Sequence, residues 1–237
     1  MAEGLYSAVS GAMTQARAME TISNNLANAA TTGFKASRTA FREVLAGAGR
    51  ADDPTRVQVK LDAITPDLRQ GPLRQTGRPL DVALQGPGFF VVQTASGPRY
   101  TRAGSFAVST DGVLTTLRGE PVLGEGGLIR LTADAAPRIG EDGSVFSGTE
   151  PLDRLQVVDF AAPQRLIQEG HGLWQAPPRM AAQPATTGVQ AGSIEESNVN
   201  PVTAMTELVM VSRAYEQFHR TIEVFRSIDQ KLVNELG

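Results

Sequence analysis

From Pro201 to the last residues, apolar side chains fall on two interleaved seven-residue series, and this spacing constrains the fold more than any other feature of the sequence. Leu208, Tyr215, Ile222 and Leu236 lie on one series, and Ala204, Val211, Phe218, Phe225 and Leu232 lie on the other; only Asp229 breaks the stripe. Alternating three- and four-residue steps put one side chain per turn on a narrow helical face, as in helices that pack lengthwise on other helices. Asn200 is placed to cap such a helix and Pro201 occupies its first position, a start signal that satisfies free backbone N–H groups. Run to about Leu236 at 1.5 Å per residue, the helix is on the order of 50 Å long. Asp229 is expected to mark a solvated helix end or a change of packing partner; the sharper reading is that it fixes register.

A second helical face is expected over residues 4–30. Leu5, Ala12, Met19 and Leu26 are seven apart, with Val9, Ala16 and Ile22 on the same side. Small residues in that set let a neighbouring helix approach closely. Thr31-Thr32-Gly33 ends it, Gly33 being suited to a left-handed terminal turn on which Phe34 can fold back. Asn24, Asn25 and Asn28 cluster near the end of this helix, and Asn198 and Asn200 precede the other. Their ordinary role is local capping. Cross-subunit hydrogen bonding is the second reading, because a run of asparagines is unfavourable in an isolated helix.

Between the helices the period changes. Residues 36–79 show no steady repeat and carry Gly47, Gly49, Pro54, Pro66, Gly71 and Pro72, so they read as an extended arm, with a helical continuation over 36–45 as an option. From Leu80 the apolar residues alternate, and strands are expected near 80–84, 89–93, 99–102, 105–108, 113–116, 129–131 and 155–160. Gly86-Pro87-Gly88, Ser96-Gly97-Pro98, Asp111-Gly112, Gly126-Gly127 and Asp142-Gly143 separate them, and glycine there supplies the positive φ of tight hairpins. The fold class expected is α+β. Terminal helices of 1–35 and 198–237 pair as a coiled-coil-like core, 36–79 is an arm, and 80–197 is an antiparallel sheet or small barrel.

Composition narrows the function classes. With 237 residues, 41% hydrophobic and 20% charged, the chain is globular and can bury a core. A net charge of -3 gives no electrostatic footprint for nucleic acid or an anionic membrane. No apolar run approaches a membrane span, and Met1-Ala2-Glu3-Gly4 does not read as the start of a cleaved signal. Without cysteine there is no thiol catalysis, thiolate metal site or disulfide. His171 and His219 lie in different regions without a convergent nucleophile and orienting group. Asp111, Glu141 and Asp142 sit in turn contexts, and neither Gly86-Pro87-Gly88 nor Gly124-Glu125-Gly126-Gly127 is followed by the helix start that makes a phosphate site. No catalytic residue, metal, cofactor or small-molecule substrate is therefore expected. Trp174 is assigned to a core or an interface.

Three motifs carry a resemblance. S-N-N-L-A-N-A-A-T-T-G-F over 23–34 resembles the N-terminal signature of the bacterial flagellar rod and hook family. L-Q-G-P-G-F-F-V-V-Q-T-A-S-G-P-R-Y-T-R-A-G-S-F over 84–106 resembles its central β motif, and E-S-N-V-N-P-V-T-A-M-T-E-L through R-A-Y-E over 196–216 its C-terminal one. G-E-P-V-L-G-E-G-G-L-I over 119–129 is similar to the proximal-rod branch. The resemblance implies a structural subunit that is exported by the flagellar type III apparatus without a cleaved signal. It also implies polymerisation, with copies of itself and other rod proteins, into the shaft crossing the periplasm. The interface is then expected at Leu5, Val9, Met19, Ile22, Asn24, Asn25, Leu26, Asn28, Phe34, Asn198, Asn200, Leu208, Val211, Tyr215, Phe218, Ile222, Phe225 and Leu232. Alternatives are a distal-rod or hook-type relative, a closed helical oligomer carrying a β binding module, and a hydrolase built on His171.

Overall fold

The computed structural model describes residues 2–45, 57–132 and 136–236, with side chains at all of these except 2–3, 40–45, 57–63, 229 and 232–236. The side chains of Asp229, Leu232 and Leu236 thus lie outside the described residues, as do Gly47, Gly49 and Pro54 of the arm. Two long helices, α1 (Ala2–Ala27) and α2 (Pro201–Leu236), flank a middle of short, antiparallel strands. The chain divides into two compact units, one of Met1–Ala27, Ser37–Pro66 and Asn200–Gly237, the other of Asn28–Ala36 and Asp67–Val199.

In the first unit α1 packs on α2 and on a long hairpin. The optional helical continuation over 36–45 is not formed: Ser37–Leu45 is a strand paired antiparallel with Val57–Pro66. Thr39, Phe41 and Val44 favour an extended backbone. A register shift between Ala40 and Phe41 interrupts the alternation, which removes the period-two signal from the sequence. Helix α2 starts as its cap predicts, with Asn200 Oδ1 accepting hydrogen bonds from the N–H groups of Val202 and Thr203 at 3.0 and 3.2 Å.

In the second unit six strands lie side by side in the order Ile167–Gln168, Leu173–Gln175, Gly97–Thr101, Phe89–Thr94, Val157–Asp159 and Gln183–Pro184, each antiparallel to its neighbour. Strand Phe89–Thr94 shows why the sheet needs cover on both faces. Phe90 and Val92 join one apolar cluster with Val82, Leu84, Phe106, Leu114 and Val122, whereas Phe89 and Val91 join another with Tyr100, Val158, Phe160 and Trp174. Period-two alternation thus feeds two cores. Trp174 is 1% exposed and its ring centroid lies 6.3 Å from that of Phe89. The small barrel is not formed. The described strands make one six-stranded sheet, one three-stranded sheet and two-stranded ladders, and none closes. Barrel closure requires a continuous stagger around the ring, and strands of two to six residues broken by turns do not provide it. Residues 129–131 contribute only an isolated bridge, between Val113 and Arg130.

Candidate subunit interface

Helices α1 and α2 meet through a size match repeated every seven residues. A Cβ added at Gly4 would lie 2.9 Å from Cζ of Phe225, and one added at Gly11 would lie 2.5 Å from Cε1 of Phe218. Rising numbers on α1 face falling numbers on α2, so the helices run antiparallel. Each ring occupies the space left by an absent side chain, which allows the backbone of α1 to come close. The same interval leads from Gly11 to Ala18, which is 3% exposed, and Ala8 and Ala12 are each 6% exposed. Thr14 and Thr21 are also buried, and each hydroxyl is satisfied within the helix by the carbonyl four residues earlier, Ser10 at 2.8 Å and Arg17 at 3.0 Å.

On α2, Leu208, Val211, Tyr215, Phe218, Ile222 and Phe225 are all partly buried, and Ala204 is buried. On α1, Leu5, Met19, Ile22 and Leu26 are partly buried and Val9 is 38% exposed. The tight face of α1 is the glycine, alanine and threonine face; Ala12 belongs to the small-residue set expected there, whereas Gly4, Gly11 and Ala18 lie outside it. Gly4 and Gly11, seven apart, were the available signal. His219 Nε2 lies 2.8 Å from the Tyr215 hydroxyl one turn away on the solvated side of α2. His171 occupies an exposed left-handed turn position at φ 54°.

The asparagines are engaged within the chain. Asn25 Oδ1 accepts from the Ser37 N–H at 2.9 Å and its Nδ2 donates to the Ser37 carbonyl at 2.8 Å. Asn28 Oδ1 accepts from the Thr31 hydroxyl at 3.2 Å. Asn24 is exposed. Asn198 is the junction of three chain segments: its Oδ1 accepts from Ala36 N–H at 2.8 Å, its Nδ2 donates to the Asp67 carbonyl at 2.8 Å, and its N–H donates to the Phe34 carbonyl at 3.4 Å. Phe34 is 3% exposed.

Beside Asn198, inside the second unit, lies an ionic clasp that was not legible in sequence. Lys35 Nζ donates to Glu195 Oε1 at 2.5 Å and to the Arg69 carbonyl at 2.8 Å. The Gly71 N–H reaches the same oxygen at 2.9 Å, and Arg102 Nη1 donates to Oε2 at 3.2 Å. Lys35 and Glu195 are fully buried. Burial pulls the Lys35 and Arg102 pKa values down, and in each case the Glu195 charge opposes that shift. Gly33, in a left-handed conformation at φ 69°, donates its N–H to the Glu195 carbonyl at 2.7 Å, and a Cβ there would collide with the backbone of Arg102 and Ala103. Hydrogen bonds join residues 33–36, 67–71, 102 and 195–198 around the buried Lys35–Glu195 pair.

Among the described residues no group of three His, Cys, Asp or Glu side chains is placed to hold a metal ion. No described helix is long and apolar enough to cross a membrane.

Three family models match the chain: Flagella basal body rod protein over residues 5–35, Flagellar hook protein FlgE/F/G D1 domain over 83–147, and Flagellar basal body rod FlgEFG protein C-terminal over 190–235. The likeness also runs end to end. The chain is 35% identical over 245 residues to the flagellar basal-body rod protein FlgF of Caulobacter vibrioides, covering 100% of this chain and 99% of that protein. The chain belongs to the flagellar basal-body rod protein family. It is also 34% identical to FlgF of Escherichia coli over 97% of this chain and 95% of that one, and 31% identical to the rod protein FlgG of Bacillus subtilis over 99% of each. Rod proteins are structural, and the chain is a structural subunit of the flagellar basal body that assembles with other rod proteins.

Proposed function

We propose that this rod subunit occupies the proximal rod and assembles into the axial shaft through α1 and α2, paired as a coiled-coil-like core. The observation that carries this reading is the surface of the helix pair. With their seams packed together, the helices still leave Tyr6 and Met13 on α1, and Val202, Met205, Val209, Met210 and Val224 on α2, each more than half exposed. So many large apolar groups along two helices mark a contact surface, because monomers seldom leave contiguous apolar area uncovered. The proximal position is supported by the 119–129 motif and by the full-length likeness to FlgF proteins. Partners are copies of itself, neighbouring rod proteins and the flagellar export apparatus, through which the chain leaves the cytoplasm. Nucleic acid, membrane insertion, a cofactor and catalysis have no part in it.

Leu208→Asp or Phe218→Asp is expected to leave the β unit folded and to abolish rod assembly, because each places a carboxylate in the seam. Motility on soft agar and microscopy of isolated basal bodies provide the test. Normal flagella in either mutant would remove the proposal.

A further inference from the structure

Two solvent-facing stripes, one on each helix, repeat the same chemistry at the same spacing. On α1 the stripe is Tyr6, Val9 and Met13 followed by Arg17 and Glu20; on α2 it is Val202, Met205 and Val209 followed by Arg213 and Glu216. The steps are three, four, four and three residues in both. All ten side chains are exposed, the six apolar ones from 38% at Val9 to 72% at Val202. At about 3.6 residues per turn each stripe lies roughly opposite the face its helix turns to the other one, Gly4, Gly11 and Ala18 on α1 and Val211, Phe218 and Phe225 on α2. Each helix therefore has one face for its own chain and an apolar triplet, closed by an arginine, on the other.

The geometry points to these triplets as the two halves of one contact between successive copies of this chain, α1 of one against α2 of the next, antiparallel, with Tyr6 beside Val209, Val9 beside Met205 and Met13 beside Val202. The occupant is a second copy because the triplets match in length, and because a subunit that polymerises must present two complementary patches. This inference rests on the rod-subunit reading and supplies the register that reading lacks. The arginines set the alignment. Sliding one turn in one direction puts Arg213 on Tyr6 and Arg17 on Val202, which strips water from two guanidinium groups. Sliding one turn the other way carries Met13 past the start of α2 and Val209 to the first residue of α1. Copies so joined form an open row in which α1 and α2 alternate, a heterologous contact that does not close on itself. The axial step follows as well. Within one chain Gly4 faces Phe225 and Gly11 faces Phe218, so Val9 is level with Arg220. Between copies it is level with Met205, fifteen positions away, which is an offset of about 22 Å along the helix axis.

The chain has no cysteine, so disulfides can be placed at will. Cells expressing Tyr6→Cys with Val209→Cys, or Met13→Cys with Val202→Cys, in place of the natural chain are used to isolate basal bodies, which are oxidised gently and run on a non-reducing gel. Neither pair can close within one chain, because its members lie about 20 Å apart along the helix pair and a disulfide needs Cα atoms within about 7 Å. Both pairs are expected to give dimers and higher ladders, and Tyr6→Cys with Val202→Cys, the parallel pairing of a closed dimer, to give none. Basal bodies that contain the chain but show no ladder with the first two pairs, or a ladder only with the parallel pair, would overturn the register and leave the rod reading intact. Absence of the unmodified chain from basal bodies would instead remove the rod reading. Where the cysteine pairs block assembly, Val9→Lys and Met205→Glu are expected each to prevent incorporation and together to restore it. Failure of the double variant to restore it overturns the contact.

Discussion

Replacing Gly11 with alanine sets helix propensity against packing, and the structure decides the sign. In a solvated helix the change stabilises by about 1 kcal/mol, because alanine restricts the unfolded backbone more than glycine does. Here the new methyl carbon would stand 2.5, 2.6 and 3.0 Å from Cε1, Cζ and Cδ1 of Phe218. Carbon atoms rest at about 3.5–4.0 Å, so the ring or the helix must retreat by about 1 Å. Three ring atoms are involved, so the methyl meets the ring's flank rather than its tip, and a small torsion of the side chain does not free it. Overpacking of this kind costs about 1–3 kcal/mol, enough to cancel or reverse the propensity gain. Gly4→Ala is the internal comparison: its methyl would meet only the tip of Phe225, at 2.9 Å, with the next ring atoms at 3.4 and 3.6 Å. Thermal unfolding of the full chain followed by far-UV circular dichroism should show Gly11→Ala unchanged or lowered in Tm and Gly4→Ala unchanged or raised. Gly11→Ala combined with Phe218→Leu should recover the loss. Equal stabilisation by the two alanines would show that the rings do not fill the glycine gaps, and the antiparallel register would fail with them.

The ionic clasp gives two further expectations. Glu195→Gln takes from the buried Lys35 and Arg102 the one carboxylate both bond, whereas Lys35→Met leaves a Glu195–Arg102 pair; removing one partner of a buried pair costs about 3–5 kcal/mol, so the urea midpoint of the full chain should fall distinctly further for Glu195→Gln, and equal losses would contradict the network. Burial holds the Lys35 pKa below 10.5, so between its folded value and 10.5 the unfolded chain binds more protons and stability contributed by this group rises with pH; urea midpoints measured from neutral to alkaline pH should show that rise flattened in Lys35→Met, and an unaltered slope would refute it.

What was legible in the sequence follows from where each element finds its burial. The α2 seam could be read because its own large side chains, Leu208 through Phe225, supply the volume. The matching face of α1 could not, because there the partner supplies the rings and α1 supplies gaps at Gly4 and Gly11. Leu5, Met19, Ile22 and Leu26 drew attention by size, yet they are only partly buried. Turn glycines located the β hairpins well, and Gly97, Gly112 and Gly143 all adopt positive φ. The strands after residue 131 were mostly missed because Pro137–Ile139 and Glu150–Arg154 mix proline and charge with few apolar residues, and long-range pairing rather than local propensity makes them strands. Lys35 and Glu195 lie 160 positions apart, and single charged residues in a sequence read as surface.

The two units divide the physics of the subunit between them. In the β unit strand Phe89–Thr94 is covered on both faces, and the buried Lys35 and Arg102 are held inside the chain by Glu195 and by backbone carbonyls. The helix unit is left with less burial than its side chains can supply, since α2 runs 36 residues and most of its described side chains are exposed. Helices gain most of their stability from packing an apolar face rather than from propensity. The seam against α1 covers one face of α2, and Val202, Met205, Val209, Met210 and Val224 stay exposed. A subunit that assembles as proposed covers the remaining apolar face of its helix unit only against a neighbour. On the proposed assembly, the stabilisation from that face is available at the growing end of the shaft and absent in free solution.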